Sequence, residues 1–255
     1  MPAIVPALEA LLANLIDYAG LYPPAALPLK DVAEKYESYR TSAHGWMLNR
    51  VVLPLSKLAW THFGEDWRIS LLVDSEPGPL PHQVETLETR LAHGLSRPTY
   101  CEVPVEQVTG GFAKVRTGGL TPEAIPSPET IADFLHRAAG RRLPFKATAG
   151  LHHAIRSFRP LTYAADSPCA VMHGFLNVFI AAAFAWHGAG LDLLLDALRE
   201  EDVHAFEFAG EELRWRENRL TAEQIAAARR DFAHSFGSCS FEEPVSDLRE
   251  LGLLP

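Results

Sequence analysis

The sequence predicts an α/β fold: a single (β/α)8 TIM barrel domain over residues 1–255, with an N-terminal helix and a C-terminal capping segment. Short apolar runs of strand length alternate with helical patterns, which predicts parallel strands joined by right-handed crossovers. The chain length is typical of this barrel. No GxGxxG motif follows the first strand, which argues against an open dinucleotide-binding sheet.

Five apolar runs have strand length and end in Pro, Gly or polar residues. Five or six of the eight strands stand out in this way, and the segments 157–172 and AFEFAGEELRW leave the strand count open. The predicted strands are RVVLPL, WRISLLVD, TYCEVPV, GFAKVRTGG and LPFKATAG.

Helical periodicity separates most of these runs. Ser127 is the expected N-cap of one helix, and Thr221 and Gln224 have capping-box spacing in a later helix expected to end near Gly237. The N-terminal stretch MPAIVPALEALLANLIDYAG predicts an amphipathic helix, because no basic residue precedes its apolar part as in a signal peptide. Residues at helical spacing are Val32 and Tyr36; Val84, Leu87 and Leu91; Ile131, Phe134, Leu135 and Ala138; and Ile225, Ala228 and Phe232.

Composition restricts the class of partner and the compartment. The formal net charge of -9 and the absence of a basic stripe argue against nucleic-acid binding. The apolar run 175–186 predicts a buried helix, since a bilayer span needs about 20 residues, so no membrane partner is expected. Three cysteines in a chain of this size predict reduced thiols and a cytoplasmic location. The oligomeric state stays open, and a homo-oligomer is one state that the sequence allows.

Two lysines close neighbouring predicted strands, Lys114 in FAKVRTGG and Lys146 in PFKATAG. Side chains two apart share a face of a strand, so Arg116 should accompany Lys114 and Thr148 should accompany Lys146. Active sites of these barrels form at the carboxyl ends of the strands. Loss of hydration and neighbouring positive charge both lower the pKa of a lysine. The resulting neutral amine can attack a carbonyl group. The pattern therefore predicts Schiff-base chemistry.

Three segments strengthen this prediction. LIDYAGLYPPAALPLKDVAEKYESY, FAKVRTGG and FKATAGLHHAIRSF resemble the first, sixth and seventh strand regions of the class I aldolases related to deoxyribose-phosphate aldolase. The resemblance implies that Lys114 forms the imine and that Lys146 keeps it deprotonated. For the family's acid/base aspartate, Asp74 is the first candidate and Glu102 the second. No clear glycine-serine phosphate loop follows, so a substrate other than the family's is expected.

The remaining candidates carry histidine or amide groups. His152, His153, His173 and Asn177 are expected to bind polar groups of the substrate, and His173 and Asn177 should share a helix face. The leading hypothesis is an aldolase-like lyase without a cofactor that acts on a small carbonyl compound. One alternative is a metal-dependent hydrolase or isomerase in which the histidines and a carboxylate hold a divalent metal such as zinc. Another is a non-catalytic metabolite-binding barrel.

Overall fold

The computed structural model describes residues 4–59 and 64–255, and its centre is a closed barrel of eight parallel strands. The strands in chain order are β1 (Ile16–Tyr18), β2 (Leu48–Pro54), β3 (Ile69–Leu72), β4 (Val84–Thr89), β5 (Thr99–Cys101), β6 (Phe112–Arg116), β7 (Phe145–Thr148), β8 (Ser157–Pro160), β9 (Cys169–Met172), β10 (Phe206–Ala209), β11 (Glu212–Trp215), β12 (Asn218–Thr221) and β13 (Ala233–Ser238).

The barrel consists of β1 to β7 and is closed by β13, which pairs with both β1 and β7. All eight neighbouring pairs are parallel. This confirms the predicted fold, a TIM-like (β/α)8 barrel. The register between β6 and β7 sets Lys114 beside Lys146 and Arg116 beside Thr148. Two cationic side chains therefore enter the barrel interior at the same level.

Helices surround the barrel unevenly. The α-helices are α1 (Pro6–Leu12), α2 (Leu29–Arg40), α3 (Leu55–Leu58), α4 (Pro128–Gly140), α5 (Phe175–Trp186), α6 (Leu191–Arg199), α7 (Ala222–Asp231) and α8 (Glu242–Glu250). In the described chain from β3 to β6, the connections contain no α-helix, only a 3-10 turn at Val105–Gln107. Long helices instead follow β1, β6 and β7. None of the helices in the described ranges combines the length and apolarity needed to cross a membrane.

Several helix predictions are confirmed with their caps. The Ser127 side chain accepts a hydrogen bond from the backbone N–H of Thr130 at the start of α4. Thr221 and Gln224 form the predicted capping box of α7. Helix α5 covers the predicted residues, and all but its last residue are buried because it packs between the barrel and α4, α6 and α7. Helix α1 lies in the N-terminal segment, of which residues 1–3 are outside the described residues.

Three predictions about element boundaries are wrong. The spacing of Val84, Leu87 and Leu91 predicted a helix, but residues 84–89 form β4. This strand is buried on both faces, so it lacks the alternation that marks a half-exposed strand. Helix α7 ends at Asp231 rather than near Gly237, because residues 233–238 form β13. The N-terminal segment is not one helix, since β1 follows α1 within it.

The segments 157–172 and AFEFAGEELRW, where the sequence left the number of strands undecided, form strands outside the barrel. Strands β8 and β9 pair as an antiparallel hairpin after β7. Strands β10, β11 and β12 form a three-stranded antiparallel sheet against α1. The eighth barrel strand is therefore β13, which the sequence pattern placed within a helix. The hairpin lies beside the carboxyl ends of the barrel strands, where its Leu161 and Met172 border the main pocket.

Candidate functional site

A pocket of about 840 Å³ opens at the carboxyl ends of the barrel strands. Its size falls within the range of small-molecule sites. Residues that end or follow all eight barrel strands contribute to its wall. The place agrees with the general rule for barrels of this type. Of the predicted site residues, those that line the pocket are Asp74, Glu102, Lys114, Arg116, Lys146, Thr148 and His152.

Lys146 is the more buried of the two lysines that line this pocket. Its side chain is 1% exposed, and its Nζ donates to Asp17 Oδ2 and Glu88 Oε1, each at 2.5 Å. Asp17 comes from β1 and Glu88 from β4, so the two carboxylates approach the ammonium from different sides of the barrel. A buried ammonium is strongly destabilising without such partners. The closed barrel thus provides Lys146 with two counter-ions.

Lys114 lies nearer the pocket opening and is 7% exposed. Its Nζ is 2.9 Å from Glu88 Oε2 and 2.9 Å from Glu102 Oε2. Glu88 therefore contacts one lysine with each carboxylate oxygen. The second oxygen of Glu102 accepts from Arg116 at 3.1 Å. We call the alternating series Asp17, Lys146, Glu88, Lys114, Glu102 and Arg116 the charge network.

Neutral side chains complete the hydrogen bonds of the two buried carboxylates. The Ser70 hydroxyl donates to Glu88 Oε1 at 2.7 Å. Asp17 accepts from Asn49 Nδ2 and from the Ser235 hydroxyl, both at 2.8 Å. Buried polar networks are stable only when their members are satisfied. At the base of the site, Asp17, Lys146 and Glu88 each therefore have two or more polar partners.

The pKa values show how the network holds its protons. Burial acts to raise the pKa of Glu88, but Lys114 and Lys146 outweigh it and hold that pKa well below its usual range. Burial acts to lower the pKa of Lys146, but Asp17 and Glu88 outweigh it, so the pKa is raised. The pKa of Glu102 is lowered by Lys114 and Arg116 against the effect of burial. Lys146 is therefore an ammonium, contrary to the expectation that crowded cations lower the pKa of these lysines.

Asp74 and Glu102, the two acid/base candidates, occupy different places. Glu102 contacts Lys114 directly. Asp74 is exposed at the edge of the pocket, two residues beyond the end of β3. Geometry therefore favours Glu102 over Asp74 for proton exchange with Lys114.

The histidines are separated and bonded to different groups. His152 lines the pocket, and its Nδ1 is 3.1 Å from Glu243 Oε2. Because a carboxylate accepts, Nδ1 of His152 is the donor in this contact. His153 Nδ1 is 3.4 Å from Asp247 Oδ1, outside the pocket lining. In the part of the chain that the structure describes, no group of three His, Cys, Asp or Glu residues is arranged to hold a metal ion.

His173 and Asn177 do not have the predicted place in the site. Both are fully buried at the start of α5 and lie away from the pocket lining. His173 Nε2 bonds to the carbonyl oxygen of Pro126. Asn177 accepts from the backbone N–H of Arg156 and donates to the carbonyls of Ala197 and Glu200. Both side chains therefore bond to backbone groups of neighbouring connections, and neither lines the pocket.

Three residues of the site were missed. Asp17 interrupts the apolar run LIDYA, which is itself a signal because a carboxylate there needs a buried partner, whereas Glu88 lies in the mixed segment VETLETRL and gives no such signal. Tyr22 lines the pocket, and its hydroxyl is buried without a hydrogen-bond partner among the described residues. Burial, with the nearby Glu88 charge, raises the pKa of Tyr22. An unpaired buried hydroxyl beside a pocket is suited to bonding a polar group of a ligand.

Comparison with known proteins found no relative: no family model matches the chain, and neither does a curated protein or a solved structure. The fold and site define the class, a TIM-like barrel with a buried lysine–carboxylate network near the carboxyl ends of its strands.

Proposed function

We propose that the protein is an aldolase-like lyase that forms an imine between Lys114 and a small carbonyl compound. The observation that carries this proposal is the placement of Lys114, which lines the pocket between two carboxylates, beside a second lysine that is buried and held charged. An amine flanked by proton acceptors can lose its proton to one of them when substrate displaces water.

The reaction begins with transfer of a proton from the Lys114 ammonium to Glu102. The neutral amine adds to the substrate carbonyl carbon, and the carbinolamine loses water as Glu102 returns the proton to the departing oxygen. In the cleavage direction Glu102 then takes the proton of a hydroxyl group on the β carbon, the second carbon from the iminium carbon. The electrons of the C–C bond move into the iminium, which releases an aldehyde and leaves an enamine. Protonation of the enamine on carbon and hydrolysis free Lys114.

The other members of the network keep the site polarised. Lys146 stays protonated between Asp17 and Glu88, so its positive charge acts on Lys114 through Glu88 at every step. The free hydroxyl of Tyr22 is placed to donate to the substrate oxygen.

The resemblance to the deoxyribose-phosphate aldolase family supports this assignment. The three similar segments contain β1, β6 and β7, which are the first, sixth and seventh strands of the barrel in chain order. These are the strand positions that the resemblance implies. For the compartment we propose the cytoplasm, since Cys101, Cys169 and Cys239 are all free thiols.

Borohydride trapping tests the imine. Purified protein is incubated with a panel of aldehydes, ketones and keto acids, reduced, digested and analysed by mass spectrometry. We expect a reduced adduct on the peptide that contains Lys114, and its loss in Lys114→Met. The control is Lys30→Met, at a surface lysine paired with Glu34 on α2, which should leave the adduct intact. If no adduct forms at Lys114 or Lys146 with any compound, the mechanism is refuted.

A further inference from the structure

One side of the pocket wall is apolar. It is built from the loop after β1 and from the ends of β2 and β3. These segments bring aliphatic and proline side chains to the pocket, and Ser56, Asp74 and Ser75 lie at its edge. The apolar residues on this side are Pro23, Pro24, Val52, Pro54, Leu55, Leu72 and Val73.

The opposite side carries the charges. It is formed by the ends of β4 to β7, with Arg90, Glu102, Arg116 and Thr148. Lys114 lies at the base of this side. A ligand that reaches Lys114 with its carbonyl group therefore has its remaining atoms against the apolar side.

Apolar residues also cover part of the opening. Leu120 and Ala124 come from the connection after β6, and Leu161 and Met172 come from the β8–β9 hairpin. Leu120 is 42% exposed. An exposed leucine at the edge of a pocket gains free energy when a ligand covers it. Apolar residues therefore line the pocket on the β1–β3 side and also at the opening after β6 and β7.

The charges within the site balance one another. The pocket lining holds four cations, Arg90, Lys114, Arg116 and Lys146, and three carboxylates, Asp74, Glu88 and Glu102. Asp17, bonded to Lys146, is a fourth carboxylate. Four positive and four negative groups leave no net positive charge to favour an anionic substrate.

We propose that the substrate is a small aldehyde or ketone with an uncharged hydrophobic body, an alkyl or aryl group, that packs against the β1–β3 side of the pocket and extends to Leu120 at the opening. The carbonyl end of this proposal rests on the proposed imine with Lys114. The inference of a hydrophobic body depends only on the apolar residues of the pocket wall. A pocket of about 840 Å³ has room for a body of several carbon atoms beyond the carbonyl.

A homologous series measures the apolar contact directly. Each methylene group transferred from water to an apolar surface strengthens binding by about fourfold. The half-saturating concentration for borohydride trapping is measured for linear aldehydes from propanal to heptanal. We expect it to fall by roughly two- to fourfold with each added methylene. Glyceraldehyde 3-phosphate is expected to trap less efficiently than pentanal.

Two leucines with equal exposure provide a matched pair of variants. Leu120 is 42% exposed at the pocket, and Leu191 is 43% exposed at the start of α6, away from the pocket lining. Both are tolerant surface positions, so loss of folding does not confuse the comparison. Leu120→Ser should weaken trapping of the longer aldehydes by about three- to tenfold, and Leu191→Ser should leave it unchanged.

Binding of the matching alcohols separates this proposal from the imine. Alcohols from 1-propanol to 1-heptanol cannot form an imine, and their binding is followed by isothermal titration. If trapping fails for every aldehyde while alcohol affinity rises with chain length and falls in Leu120→Ser, the lyase proposal fails and the hydrophobic site stands. If trapping succeeds but neither series depends on chain length, or the phosphorylated aldehyde is preferred, the hydrophobic substrate is refuted and the imine stands.

Discussion

Replacing Glu88 by Gln removes the charge that joins the two lysines. The change keeps the size of the side chain, and the amide oxygen can still accept from Ser70. The amide N–H group, however, would face one of the two ammonium groups that the carboxylate now contacts at 2.5 Å and 2.9 Å. Two buried cations would then share the remaining carboxylates, Asp17 and Glu102.

The structure indicates a large loss of stability. Removing one partner of a buried, hydrogen-bonded ion pair costs about 3–5 kcal/mol, because the remaining charge is left uncompensated. For a chain of this size each kcal/mol lowers the Tm by about 2–4 °C. Glu88→Gln should therefore lower the Tm by roughly 6–20 °C.

Glu85 is a matched control on the same strand. It also bridges two cations, with Arg50 Nε at 2.8 Å and Arg68 Nε at 2.9 Å, but its side chain is 33% exposed. Partly exposed pairs contribute about 1 kcal/mol or less. Urea unfolding of the wild type, Glu85→Gln and Glu88→Gln, followed by circular dichroism, measures the difference. A loss in Glu88→Gln no larger than in Glu85→Gln would refute the role assigned to the buried charge.

The pH dependence provides a second check on Glu88. Its folded-state pKa lies below the unfolded value, so its contribution is complete above a pH of about 4.3 and is lost as the pH falls towards the folded pKa. The gap in unfolding free energy between wild type and Glu88→Gln should stay constant from about pH 5 to pH 8 and narrow below about pH 4. A gap that widens on acidification would contradict the direction of the pKa shift.

Three further changes test other parts of the structure. Asn177→Leu should lower the free energy of unfolding by about 2–4 kcal/mol, because three hydrogen bonds are lost. Trapping at Lys114 should persist in this variant. If trapping is lost while stability is unchanged, Asn177 contacts the substrate, as the sequence predicted. In Gly118→Ala the new Cβ would lie 2.8 Å from Gly150 Cα, so both stability, by about 1–3 kcal/mol, and trapping should fall, as urea unfolding and mass spectrometry would show. Ser127→Ala should cost about 1 kcal/mol in urea unfolding by removing the α4 cap, with no change in trapping.

Lys114 and Lys146 could be predicted because each lysine interrupts an apolar run, although both lie inside their strands, β6 and β7, rather than at the predicted strand ends. The strand period then set which neighbours share their face, and Arg116 and Thr148 do line the same pocket. Local spacing was sufficient for these four residues, since β6 and β7 are adjacent in the barrel.

Asp17 and Glu88 could not be paired with the lysines by local spacing. Strand β1 has three residues, all buried, and β4 is buried on both faces, so neither shows a strand period. Glu88 is 58 residues from Lys146 and reaches it across the barrel interior. Asp17 is 129 residues from Lys146, and β1 comes near β7 because β13 pairs with both strands. Counter-ions of this kind depend on closure, which single-strand patterns do not describe.

The order of the charge network favours Lys114 over Lys146 as the nucleophile. At the inner end, Asp17, Lys146 and Glu88 are each at most 2% exposed and have several partners, so a change of protonation there would leave a buried charge unpaired. At the outer end, Glu102 is 19% exposed and Arg116 is 49% exposed. Water and substrate can compensate a proton transfer from Lys114 to Glu102, and the total charge of the network is conserved. The buried residues Asp17, Lys146 and Glu88 therefore keep one protonation state. The proton transfer that the mechanism needs takes place between Lys114 and Glu102.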